Sequence, residues 1–195
     1  MPRTAARLFP LLGVFGLLGC GINAIPTYDE AVTAAWSQVL NQYERRADLI
    51  PNLVNTVKGF AAQEREVLTE VVEARSRATS MQLPEDILEN PEAFAKFQQT
   101  QDALGSALSR LLVVVEKYPE LRSSENFLAL QSQLEGTENR IAVARRDYIQ
   151  AVQRYNTELR TFPGRLWKGF LYPDAQPRES FTVAEAKTQV PEVAF

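Results

Sequence analysis

Apolar residues recur every three or four positions through the first half of the chain. Val32, Trp36, Val39, Tyr43, Ala47, Ile50, Val54, Val57, Phe60, Leu68, Val71 and Ala78 fall on one stripe, the period of an amphipathic helix. Unbroken, a helix of about 50 residues at roughly 1.5 Å per residue would reach some 75 Å. Pro51 interrupts it, because proline lacks the amide donor and its ring crowds the preceding turn. A kink or short break is therefore expected near Ile50, with the phase of the stripe carried through it.

The period lapses around residues 82–92, where Asn90 followed by Pro91 reads as an N-cap with proline at the first helical position. A second stripe follows: Phe94, Phe97, Gln101, Leu104, Leu108, Leu111, Val115 and Tyr118. It should stop before Pro119, since the residue ahead of a proline is pushed out of helical geometry. After a turn over residues 119–123, Ser123 or Ser124 can cap a third helix. Its inward face would be Phe127, Leu130, Leu134, Thr137, Ile141, Ala144, Tyr148, Ala151, Tyr155, Leu159 and Phe162, ending at Pro163-Gly164. Short connections make neighbouring helices antiparallel, and three such stripes must bury one another. The expected fold is all-α, an elongated antiparallel bundle over residues 28–172. Glu138, Arg145 and Arg146 flank the third stripe, and Arg45, Arg46 and Asp48 the first; interhelical ion pairs are their expected role.

The two ends of the chain depart from the helical pattern. Leu166, Trp167, Phe170, Leu171 and Tyr172 form a short apolar cluster, and residues 173–195 follow as a proline-punctuated tail containing Phe181, Val183, Val190 and Phe195. The cluster reads as a short helix or lid over the bundle end, with an extended tail of low order behind it. The sharper alternative is an exposed aromatic patch for a partner, made of Trp167, Phe170 and Tyr172. At the other end, Arg3 and Arg7 precede an apolar run over residues 8–18, and Leu17, Leu18 and Gly19 lead into Cys20, the chain's single cysteine. A basic start, a short apolar core and a small residue before the cut are the parts of a secretory signal. In this arrangement they resemble a bacterial lipoprotein signal, with cleavage before Cys20, lipidation of its thiol and a tether over residues 20–27. The alternative is an uncleaved membrane helix over residues 8–25, near the short limit of about 17 to 25 residues for a span. Pro10, four glycines and Asn23 make that span a poor one. Both readings place the remaining chain beside a membrane.

Composition narrows the function further. The 195 residues are 45% apolar and 23% charged, which suits one globular domain with a substantial core. Loss of residues 1–19 would remove Arg3 and Arg7 and no acid, leaving 19 basic and 24 acidic side chains, a net charge of −5. Such a surface disfavours nucleic acid, which is bound through clustered basic groups. It also supplies no polybasic attraction to anionic lipid, so attachment must come from the N-terminus. Histidine is absent, which removes the commonest general base and the commonest transition-metal ligand together. A di-iron bundle needs Glu-x-x-His on two helices, zinc needs Cys and His, and neither a phosphate-binding glycine loop nor Gly-x-Ser-x-Gly occurs. No metal or cofactor is expected. Glu64, Glu66, Glu70 and Glu73 are spaced as on any solvated helix face, and an enzyme is not expected.

Several segments together resemble the LemA family. They are Trp36-Ser37-Gln38-Val39, Arg45-Arg46-Ala47-Asp48-Leu49-Ile50-Pro51-Asn52-Leu53-Val54, Val57-Lys58-Gly59-Phe60-Ala61 and Val71-Val72-Glu73-Ala74-Arg75 in the first half. In the second half they are Tyr118-Pro119-Glu120-Leu121-Arg122, Asn126-Phe127, Thr137-Glu138-Asn139-Arg140-Ile141-Ala142, Ala144-Arg145-Arg146 with Tyr148, Tyr155-Asn156 and Phe162-Pro163. The matches keep the family's order from about Tyr28 to Phe195. The resemblance implies a membrane-anchored antiparallel bundle in bacteria with its domain facing away from the cytoplasm. It implies no catalytic residue; members are linked with envelope and membrane organisation, including magnetosome formation. Members usually begin with a longer transmembrane segment, in place of which this chain has a short apolar run ending in Cys20. Gly21 stands where an aspartate would give the inner-membrane retention signal of enteric bacteria.

The function expected from these features is that of a membrane-tethered extracytoplasmic scaffold or adaptor, with envelope proteins or further copies of itself as partners. The alternative is a bundle holding a lipid or small apolar ligand between its helices or under Trp167 and Phe170.

Overall fold

A computed structural model describes residues 21–182 of the chain. Six helices follow in order: α1 (Ala24–Phe60), α2 (Arg65–Ser80), α3 (Pro91–Val115), α4 (Pro119–Arg122), α5 (Glu125–Arg160) and α6 (Gly164–Phe170), with no strand among the described residues. The spine is the pair α1 and α5, of 37 and 36 residues, each about 55 Å long at 1.5 Å per residue. They run antiparallel, with Trp36 facing Tyr148 and Arg46 facing Glu138. The architecture is the all-helical bundle that the stripes predict, and Trp36, Ile141 and Tyr148 all point into its core.

The first stripe, however, is a hairpin and not one rod. Helix α1 continues through the position of Pro51 without a break, and the chain turns back ten residues later, at residues 61–64. There the amide of Ala61 closes α1 on the carbonyl of Val57, and Glu64 N donates to Ala61 O. Two side-chain bonds brace the turn: Tyr118 Oη donates to Glu64 at 2.7 Å, and Gln63 Nε2 donates to Tyr118 Oη at 2.9 Å. A period of 3.6 residues continues across a tight helical hairpin whenever both arms bury the same side, so the stripe does not reveal the reversal. Helix α2 then packs back along α1, and α3 packs antiparallel on α2.

Capping follows the sequence elsewhere. Ala93 N donates to Asn90 Oδ1 at 3.1 Å at the start of α3, and Phe127 N to Ser124 Oγ at 3.4 Å at the start of α5, each meeting an amide that the first helical turn leaves without a backbone acceptor. The expected turn at residues 119–123 is the single-turn α4, which buries Leu121. Phe162, expected on the inward face of α5, is 81% exposed, because α5 ends at Arg160 and the helical phase ends with it.

The interior divides into two apolar clusters. One, at the end where the described chain begins, gathers Trp36, Phe94, Phe97, Tyr148, Tyr155 and Phe181; the other gathers Ile50, Leu53, Val71, Leu104, Leu111 and Phe127. A polar layer separates them at the same height on three helices. Arg46 lies between Tyr43 and Ile50 on α1, Gln101 between Phe97 and Leu104 on α3, and Glu138 between Leu134 and Ile141 on α5.

Candidate functional site

The chain enters the bundle at one end. Gly21, Ile22 and Asn23 form a turn closed by Ala24 N on Gly21 O, and α1 begins at Ala24, inside the stretch expected to be a free tether. Ile25 is already buried. Cys20, Leu17, Leu18 and Gly19 lie outside the described residues. Gly21 has a φ of +92°, a region that glycine enters without a steric penalty. A Cβ on it would stand 3.3 Å from Pro163 Cγ and 3.8 Å from Trp167 Nε1. Beside it, Tyr172 Oη donates to the carbonyl of Ile22 at 3.2 Å.

Helix α6 therefore clasps the entry point. Of the three aromatic residues suggested as a partner surface, Trp167 and Tyr172 pack against the cluster that contains Trp36 and Tyr148, whereas Phe170 is 80% exposed. Phe162, Leu166 and Leu171 are exposed around it. The close turn from α5 into α6 depends on Gly164, where a Cβ would come within 2.2 Å of Glu158 O. Among the described residues no helix is long and apolar enough to cross a membrane.

Of the tail expected to be of low order, residues 183–195, with Val183, Val190 and Phe195, lie outside the described residues, and residues 173–182 are held by specific contacts. They are extended, as expected, but they are strapped across the bundle. Phe181 is buried among Trp36, Phe94 and Tyr148, with Arg145 stacked over its ring at 4.3 Å. The strap's backbone bonds to two helices, α5 and α3, and a loop: Arg178 N and O pair with the amide of Asn156 at 2.8 and 2.9 Å, Glu179 N donates to Leu88 O, Tyr148 Oη donates to Glu179 O and Gln98 Nε2 donates to Thr182 O. Arg178 pairs with Asp29 on α1 at 2.7 Å and with Glu89. Burial works against its charge, but Asp29 and Glu89 outweigh that and hold its pKa above the usual arginine value. Nothing in the sequence singled out Arg178, because Phe181 is only one of several apolar residues in the tail.

The polar layer has its own geometry. Arg46 is 4% exposed and donates to Gln101 Oε1 at 2.8 Å, to the Gln101 carbonyl at 3.1 Å and to Glu138 at 3.0 Å, the interhelical pairing expected of these residues. It borders an open cleft of about 640 Å³ between α3 and α5, lined by Leu108, Leu112 and Ile141 together with Asp102, Glu135 and Glu138. That mixture of exposed acids and aliphatic groups is less suited to a wholly apolar ligand than a dry cavity would be.

The carboxylates considered for catalysis are engaged or solvated. Glu64 accepts from Tyr118, Glu70 pairs with Arg110 and Glu73 with Arg77, while Glu66 is exposed. Among the described residues, no three His, Cys, Asp or Glu side chains converge as a metal site would require.

Residues 35–195 match the LemA family. Magnetosome proteins MamQ 1 and MamQ 2 of Paramagnetospirillum magneticum are each 27% identical to the chain over 157 residues, covering 72% of it and 58% of their own length. Magnetosome protein MamQ of Magnetospirillum gryphiswaldense is 25% identical over the same shares. The chain thus spans less than two thirds of these relatives. With the family match extending from the first helix to the end of the chain, and the ordered segments of both halves folded into one bundle, the protein belongs to the LemA family.

Proposed function

We propose that this LemA family protein is a membrane-tethered helical scaffold or adaptor of the bacterial cell envelope, lipidated at Cys20, with its bundle on the extracytoplasmic side. The observation that carries the reading is the position of Gly21. It is wedged at the extreme end of a rod about 55 Å long, against Pro163 and Trp167, so an attachment made through the preceding residue holds the bundle by its tip. The lipobox-like Leu17-Leu18-Gly19-Cys20, at the end of the apolar run over residues 8–18, directs the lipidation of Cys20 that supplies that attachment. Two or three acyl chains at about 0.8 kcal/mol per buried methylene make a lasting tether. The lengths of α1 and α5 leave most of the surface free for proteins, and the proposed role is non-catalytic. The MamQ relatives are magnetosome proteins, which supports work at a membrane.

Intact-mass measurement of the membrane-extracted protein tests the tether. The expected mass lacks residues 1–19 and gains a diacylglycerol and a fatty acid; a product that retains Met1 and carries no lipid overturns it. Cross-linking in membranes, comparing the native chain with Cys20→Ala, tests the scaffold role. Specific protein neighbours are expected for the native form, and their absence in both forms would count against an adaptor.

A further inference from the structure

Phe162, Leu166, Phe170 and Leu171 are 81%, 45%, 80% and 50% exposed. Among the described residues the other exposed large apolar side chains, Phe60, Val72, Val113, Leu128, Val143 and Ile149, lie singly along α1, α2, α3 and α5, as is ordinary for a protein surface. The four at the entry end instead sit within ten residues. Leu166 and Phe170 are one helical turn apart on a common face of α6, and Phe162 and Leu171 adjoin its two ends. Trp167, on the neighbouring face, is held by the core. A clustered apolar face of this kind marks a contact surface.

The chain itself indicates what covers it. Gly21 rests against Pro163 and Trp167, and Cys20, the proposed site of lipidation, precedes it by one Cα step of about 3.8 Å. The bilayer that receives the acyl chains of Cys20 therefore lies next to α6. Charge agrees. Between Glu158 and Asp174 the chain carries Arg160, Arg165 and Lys168 and no acid, although the protein as a whole is acidic. Aromatic and aliphatic groups flanked by Arg and Lys are the composition of an element lying in a bilayer interface, where long basic side chains reach the phosphates while their neighbours enter the acyl boundary.

We propose that α6 with Phe162 is a second membrane contact, seated in the headgroup region of the bilayer that receives the N-terminal segment. Phe162, Leu166, Phe170 and Leu171 enter the acyl boundary, and Arg160, Arg165 and Lys168 meet lipid phosphates. The inference rests on the reading that residues 1–20 attach the chain to a membrane. A single flexible tether lets a rod swing freely, whereas a tether plus an adjoining interfacial helix fixes its orientation. The Arg46 layer and its cleft are then presented roughly 35 Å from the surface, at 1.5 Å per residue along α1.

The test uses the full chain, extracted and reconstituted into phosphatidylcholine and phosphatidylglycerol vesicles with ordinary or dibrominated acyl chains. Bromine quenches a tryptophan only at close range, and Trp36 is enclosed in the core, so quenching reports on Trp167. Trp36→Phe removes the background; if that variant does not fold, the native chain is read with Trp36 as a constant. The expected result is loss of emission in brominated vesicles, abolished by Leu166→Glu with Phe170→Glu while both proteins still float with the vesicles. Flotation without any bromine effect overturns the inference and leaves the tether standing. Flotation without quenching but with a cross-linked dimer through α6 also overturns it, in favour of a second copy as the occupant. A chain that neither floats nor is quenched overturns the tether and the inference together.

Discussion

Arg75 Nε donates a 2.8 Å hydrogen bond to the carbonyl oxygen of Ala47, the acceptor that Pro51, four residues further along α1, has no amide to reach. A proline inside a helix leaves the carbonyl one turn before it without its usual donor. Here α2 folds back and supplies a charged donor at that point, which is how α1 continues through Pro51 while the hairpin is pinned at mid-length.

Arg75→Ala is expected to lower stability by about 1.5 to 3 kcal/mol, the range for losing a hydrogen bond from a charged donor. In a Pro51→Ala background the cost should fall by about half or more, because residue 51 regains an amide for the same carbonyl, and coupled neighbours are not additive. Urea unfolding of the four proteins measures this. Equal costs in both backgrounds would show that the bond has nothing to do with the proline.

The strap should behave as a unit. Phe181→Ala removes a buried aromatic side chain, a change worth about 3 to 5 kcal/mol in a core that cannot relax. Arg178→Ala breaks a partly buried pairing with Asp29 and Glu89, worth about 1 to 3 kcal/mol. If residues 173–182 open locally before the helices do, the double variant costs little more than the worse single one. Hydrogen exchange at the amides of Arg178 and Glu179 should accelerate in each variant while α5 stays protected. Fully additive losses with unchanged exchange would rule out a separately opening strap.

At the polar layer, Glu138→Ala leaves the buried guanidinium of Arg46 with only Gln101 as its hydrogen-bonding partner. Glu138 is itself half exposed, so water moderates the loss to about 1 to 3 kcal/mol. Arg46→Met, of similar length and apolar, is expected to cost less than Arg46→Ala, because removing a buried charge and filling its space avoids both desolvation and a cavity. Thermal melts of the three variants decide the order; a more stable Arg46→Ala would contradict this packing.

Burial raises the pKa of Tyr43, Tyr148 and Tyr155; in Tyr43 the positive fields of Arg145 and Arg46 only partly oppose it. Each phenol therefore holds its proton more tightly folded than unfolded. The resulting stability is fully present below the ordinary tyrosine value of about 10 and is lost as pH rises above it. With no histidine in the chain, no side chain of ordinary pKa titrates between about pH 5 and 8. Unfolding midpoints should be level through neutrality and fall steeply above about pH 10. Absorbance at 295 nm should show part of the six tyrosines ionising only as helicity is lost. All six titrating together in a folded chain would refute it.

The helices were legible because a buried stripe on a rod imposes its period on consecutive residues. Every member of the second stripe from Phe94 to Val115 is buried, and Asn90 and Ser124 cap as their chemistry requires. The hairpin at residues 61–64 was not legible. The stripe keeps its phase across the reversal, and the donor that compensates Pro51 lies 28 residues from its acceptor. Nor was the strap: extended backbone carries no helical period, and Arg178 is recognisable only once Asp29, 149 residues away, is beside it. The apolar cluster around Phe170 was visible as composition, but which of its members face outward was not. Trp167 and Tyr172 turn inward because Gly21 and Ile22 return to that end of the bundle. Periodicity records which face of an element avoids water; which other element covers that face is set by contacts between residues distant in the chain, and folding alone brings those together.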